Sequence, residues 1–152
     1  MPTQSTNIDL GKEDVVIQEK YAVLTTQRST QYPMEKVSIT QGYKFYHPGI
    51  DMDGVTGDVV KPFMVGSVEE VGYSNFGYGN AVLLNHGDNI TSLYAHLSKI
   101  FVVKDQQVNM DTVIGQVGTS GRAYGDHLHL EIRDRGYPIN PYLLLPQQNL
   151  AN

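Results

Sequence analysis

The stretch His127-Leu128-His129-Leu130-Glu131-Ile132-Arg133 alternates polar and apolar residues without a break. Successive side chains of an extended strand point to opposite faces, so this period of two predicts a half-buried strand rather than a helix. Leu128, Leu130 and Ile132 then face the core, and His127 and His129 share the other face. Two imidazoles side by side on a face turned from the core are either part of a solvated polar surface or an arrangement suited to binding and activating something. The stretch alone leaves both open.

The rest of the chain has the same grain. Its 15 glycines fall between short runs of Val, Ile, Leu and Tyr. That is the pattern of many short strands joined by tight turns, and it predicts an all-β fold of antiparallel β-sheets or a sandwich. Strands are expected at Val15-Val16-Ile17 and Tyr21-Ala22-Val23-Leu24, as a hairpin or arm. Others are expected at Val37 to Ile39, over 63–71 with a break at Gly66, at Ala81-Val82-Leu83-Leu84, and over 90–96. Only a turn or two near 97–100 suggests helix. At 152 residues the chain is long enough for one domain with a sizeable core. We divide it into an N-terminal extension or arm (1–32), a main domain (33–146) and a tail (147–152).

Charge and composition exclude several functions. A net charge of −5 and a pI near 5.4 argue against a nucleic-acid partner, which usually requires a basic face. The absence of cysteine excludes disulfides and thiolate metal sites. No apolar run approaches the ~20 residues of a membrane span. The first residues, Met1-Pro2-Thr3-Gln4-Ser5, lack the basic and apolar regions of a signal peptide. The chain therefore stays inside, is a trimmed piece, or leaves the cell by another route.

Further candidate residues lie outside the histidine strand. In His47-Pro48-Gly49-Ile50-Asp51, Pro48 and Gly49 disfavour a helix, so His47 is expected in a turn and Asp51 on the strand it feeds. The two are either metal ligands or a loose surface hydrogen bond. The glycine- and aromatic-rich loop 72–80 can lay backbone and tyrosine faces against a ligand, or is an ordinary long hairpin. His86 lies in a turn and is structural or exposed. His96 ends the returning strand. Four of the five histidines, with Asp51, thus lie at strand ends or turns in three separated segments. A catalytic zinc takes three protein ligands and keeps a fourth position open, and two histidines would remain for proton transfer and charge stabilisation.

The motifs His47-x-x-x-Asp51, Tyr94-Ala95-His96-Leu97 and His127-x-His129, in this order, resemble those of the lysostaphin-type (LytM-like) zinc metallopeptidases. Gly77-Tyr78-Gly79-Asn80, Asn85-His86-Gly87 and Gly118-Thr119-Ser120-Gly121 extend the resemblance, which runs from about Pro33 to Tyr142. It implies antiparallel sheets around a narrow groove with one Zn²⁺ on its floor, making 33–146 the metallopeptidase catalytic domain. It implies cleavage of peptide bonds in the stem peptides or cross-bridges of bacterial peptidoglycan. His47, Asp51 and His129 become the zinc ligands and His96 and His127 the catalytic pair, while His86 is no ligand and its loss should cost little in zinc content or turnover. The alternative within the resemblance is a non-catalytic scaffold or activator of another wall hydrolase; such relatives usually lack one or more of the five residues, all of which are present. The resemblance also implies an extracellular or cell-envelope location, with a larger assembly such as a phage particle as one setting. Leu130, Asn109-Met110-Asp111 and Arg122-Ala123-Tyr124 depart from the family pattern. Arg122 and Tyr124 are expected on the groove's rim, where they bear on substrate preference. Asp126 either raises the pKa of His127 or accepts a backbone hydrogen bond.

Overall fold

A computed structural model describes residues 11–147 of the chain. The expected histidine strand is its centre. β9 (His127–Asp134) runs antiparallel between β2 (Ile50–Asp53) and β6 (Ile90–Ile100). From β2 the sheet continues to β1 (Ile39–Gln41). From β6 it continues through β5 (Asn80–Asn85) and β4 (Gly66–Gly72) to β7 (Gln107–Val108). β10 (Tyr137–Ile139) returns along β9, while β8 (Gly115–Val117) bridges β6 and β3 (Val59–Val60). Every pairing among the described residues is antiparallel. The all-β expectation holds for the body of the chain.

Alternation sorts β9 as expected. Leu128, Leu130 and Ile132 are fully buried, and they pack with Ile50 and Met52 of β2 and with Tyr94 and Leu97 of β6. Tyr94 shows how this core accommodates a hydroxyl. Its oxygen accepts the Phe63 N–H at 2.9 Å and lies 2.8 Å from Ser92 Oγ. His86 closes the chain, its Nδ1 2.8 Å from the Val65 carbonyl and its Nε2 2.7 Å from Ser92 Oγ. A carbonyl can only accept, so Nδ1 carries the proton and Nε2 accepts from Ser92. His86 is therefore structural, and it is buried rather than exposed.

Three local expectations are corrected. Residues 15–17 and 21–24 are not strands: they belong to α1 (Lys12–Gln27). Ile17, Tyr21 and Leu24 are spaced i, i+4, i+7, one stripe of a helix, and Tyr21 and Leu24 are buried against the body while Val15, Val16 and Val23 face outward. The β-branched run suggested a strand, but no Gly or Pro interrupts residues 12–32 and the helical stripe finds a surface to cover. Tyr21 Oη donates to buried Asp134 at 2.8 Å, and Lys20 Nζ meets the same carboxylate at 3.1 Å. Arg28, at the helix C-cap, donates to the carbonyls of His86 and Val65. The second correction is at 97–100, which continue β6 rather than form a turn of helix. Third, the strand expected over 63–71 begins only at Gly66, because Phe63 and Met64 turn inward as buried core residues. Residues 1–10 of the extension and 148–152 of the tail lie outside the described residues.

Candidate functional site

Register builds the site. Asp51 pairs with His129 and Asp53 with His127 across β2 and β9, and Ala95 of β6 pairs with His129 from the other side. Asp51, His127 and His129 thus meet on the face opposite the leucines. Asp51 Oδ1 lies 2.7 Å from His129 Nδ1.

His47 reaches this face from the turn before β2. Reciprocal backbone bonds with Lys44, both 2.9 Å, fix that turn. His47 Nδ1 donates to the Gly42 carbonyl at 3.0 Å, which leaves Nε2 directed at Asp51 Oδ2, 3.2 Å away. The chain then crosses β9 at Gly49, where a Cβ would stand 2.3 Å from the Leu130 carbonyl oxygen; a side chain there would push the His47 turn off the strand. One ligand atom each from His47, Asp51 and His129 lies within 4.8 Å of the other two.

His96 arrives by a different device. β6 shifts register here against both β5 and β8, and His96 takes a left-handed conformation with φ 64°. That conformation is costly for a residue with a Cβ, so it persists only where surrounding bonds enforce it. Its backbone N–H donates to the Tyr78 carbonyl and its Nδ1 to the Ser120 carbonyl, both at 2.8 Å. The bulge turns the ring toward His127, with 5.0 Å between ring centroids. His127 donates Nδ1 to its neighbour Gly125's carbonyl at 3.0 Å and holds Nε2 3.8 Å from Asp51 Oδ1. Asp126 accepts the Thr56 N–H at 2.9 Å, the second of its two expected roles.

The face carries more than the alternation was used for. Glu131, two residues beyond His129 on the same side, is fully buried. Its Oε1 accepts from Arg133 Nε and Nη2 at 3.1 and 2.9 Å, and its Oε2 lies 3.0 Å from His129 Nε2 and accepts from the Tyr78 hydroxyl. The Tyr78 ring stacks on His129 at 5.8 Å. His129 is thereby held at both nitrogens. The signal was in the sequence: positions 127, 129, 131 and 133 share one face, and a carboxylate there had to find a partner.

These contacts set the charges. Burial alone would lower the pKa of His129, but bonds to Asp51 and Glu131 and their charges outweigh it and raise it to about 9. Burial opposes ionisation of Asp51 and of Glu131, yet their histidine, tyrosine and arginine partners hold both below the ordinary carboxylate range. His96 is pushed down, by burial first and then by the neighbouring imidazoles. The Tyr78 phenol is pushed up to about 12 by burial and by Glu131.

The five residues line a groove of about 380 Å³, flanked by Gln41, Tyr78, Arg122 and Tyr124. One wall is stitched from two loops. Gly79 and Gly121, with φ of 66° and 73°, touch so closely that a Cβ on Gly121 would lie 2.3 Å from the Gly79 nitrogen, and the Arg122 N–H donates to the Gly77 carbonyl at 2.8 Å. Two histidines and a carboxylate converge here closely enough to hold a metal ion, with two more imidazoles beside them.

The profile of Peptidase family M23 matches residues 45–141, and the chain belongs to that family. This bears out the lysostaphin-type resemblance. The chain is 38% identical over 125 residues to the DD-carboxypeptidase/endopeptidase Mpg of Neisseria meningitidis, covering 76% of this chain and 29% of that protein. It is 35% identical over 100 residues to the murein hydrolase activator NlpD of Escherichia coli, covering 66% of this chain and 26% of that one. A zinc containing peptidase from Vibrio cholerae shares the fold with a TM-score of 0.72 and 29% identity, covering 78% of this chain and 41% of that one. The chain therefore spans less than a third of these two curated relatives.

Proposed function

We propose that the chain is a zinc-dependent endopeptidase that hydrolyses peptide bonds in peptidoglycan stem peptides or cross-bridges. The observation that carries the reading is the convergence of His47, Asp51 and His129 within 4.8 Å beside the paired rings of His96 and His127. The donor set fits Zn²⁺: two imidazoles and a carboxylate, with His47 Nε2 freed by its other nitrogen's bond to a carbonyl. When bound, zinc contributes Lewis-acid activation of a water and of the scissile carbonyl.

The chain's own residues supply the rest. His96 and His127 each give Nδ1–H to a backbone carbonyl, which fixes the tautomer and turns Nε2 to the groove. Burial keeps His96 neutral, so we assign it proton acceptance. His127, across from it, stabilises the charge that develops on the attacked carbonyl. Glu131 and Tyr78 orient His129. Residues 33–146 form the catalytic unit, with 1–32 as an extension and 147–152 as a tail. The substrate's location puts the action outside the cell or in its envelope, including aboard a phage particle.

The NlpD relative supports a second reading, an activator that uses the same groove without hydrolysis. Incubating the zinc-loaded chain with purified peptidoglycan separates the two. New amino termini from the chain alone support the peptidase. No release, together with stimulation of an added wall hydrolase, supports the activator.

A further inference from the structure

We propose that Arg122 reads a free carboxylate on the bound peptide, and so selects wall peptides that carry one beside the scissile bond; this rests on the peptidase reading above. The chain has four arginines. Arg28 lies 4.0 Å from Asp88, Arg133 2.9 Å from Glu131 and Arg135 3.7 Å from Asp134. Among the described residues, Arg122 meets no carboxylate. It lines the groove, whereas Arg133 is committed to Glu131.

The position of Arg122 is enforced from the backbone. Its N–H is tied to the Gly77 carbonyl, and Gly121 before it is locked against Gly79, so the exposed side chain rises from an anchored backbone at the groove's edge. The rest of the charge works the other way. The chain is acidic overall, at −5, and Asp51 and Glu131 line the same groove. An anionic peptide gains nothing from the long-range field, so its recognition requires a local cation. A guanidinium offers two parallel N–H donors that match a carboxylate, and a peptide laid in the groove shields that pair from water.

The test uses the zinc-loaded full chain and the synthetic peptide L-Ala-γ-D-Glu-L-Lys-D-Ala-D-Ala. Each free carboxylate is replaced in turn by a carboxamide. Initial rates are read where the peptide is cut, and equilibrium binding by calorimetry in every case. For the native chain, one carboxamide replacement should lower kcat/KM or affinity by about tenfold, the scale of a charge-assisted hydrogen bond partly exposed to solvent. In Arg122→Gln that difference should collapse, and Arg122→Lys should restore part of it. The inference is overturned if no replacement discriminates in the native chain, or if discrimination survives in Arg122→Gln. Discrimination through Arg122 without any cleavage would uphold the carboxylate recognition and refute the peptidase reading, and with it the placement beside a scissile bond.

Discussion

Zinc uptake should expel a proton from His129, and the structure sets the pH range in which this matters. His129 lies between Asp51 and Glu131 with its pKa raised to about 9. A ligand imidazole must be neutral. At pH 7.5 the ring must first lose a proton at a cost of about 2 kcal/mol, from ~1.4 kcal/mol per pKa unit. Apparent zinc affinity should therefore climb roughly tenfold per pH unit from about 6.5 to about 9, some 300-fold in all, and then level off. An imidazole with an ordinary pKa near ~6.5 would level off near neutrality. Chelator competition between pH 6 and 10 measures the slope, and calorimetry in buffers of different ionisation enthalpy counts the proton. Glu131→Gln removes one of the two carboxylates and should move the plateau to lower pH. An affinity already flat above pH 7, with no proton released at pH 7.5, would refute the reasoning.

His86→Ala should leave zinc content per folded chain unchanged but cost about 3–5 kcal/mol of stability, because it removes two buried hydrogen bonds, to the Ser92 hydroxyl and the Val65 carbonyl, and opens a hole beside Phe63. That is a fall in Tm of roughly 10 °C in thermal unfolding. The same residue sets an acid limit. Burial lowers the His86 pKa to about 4, so the unfolded chain takes up this proton below ~6.5 while the folded chain resists until about 4. Stability should drop by about 3 kcal/mol across that window, and denaturant titrations of His86→Ala should lack this component. Digestion of peptidoglycan should yield new amino and carboxyl termini without new reducing sugars, because the groove's two carboxylates, Asp51 and Glu131, are both tied to His129 and held below the ordinary carboxylate range, which leaves no protonated acid of the kind most glycoside hydrolases use; chromatography of the digest with a reducing-end assay checks this.

The site was more legible in the sequence than the fold around it. Alternation alone put His127 and His129 on one face, and the backbone restrictions of Pro48 and Gly49 put His47 in a turn feeding Asp51's strand. Those are local properties, and the register of β2 on β9 follows from burying Ile50, Met52, Leu128 and Leu130 together. His96 was harder to read. Its place on the groove depends on a bulge and a left-handed backbone that only the Tyr78 and Ser120 carbonyls, far along the chain, enforce. α1 was misread because Val15-Val16-Ile17 favours a strand locally, whereas the helix is stabilised by Tyr21 and Lys20 meeting Asp134, a contact across more than a hundred residues. The Glu131–Arg133–Tyr78 network lay half in view: the strand period gave the shared face, but Tyr78 comes from another loop.

The central claim is the division of labour among four histidines, and zinc content measured beside turnover on the same purified variants tests it most directly. His47→Ala and His129→Ala should lose bound zinc and activity together. His96→Ala and His127→Ala should keep one zinc per chain and lose about 10²-fold or more in turnover, the scale of a lost proton-transfer or oxyanion group. Wild-type turnover in His96→Ala, or loss of metal from His127→Ala while His129→Ala retains it, would contradict the account.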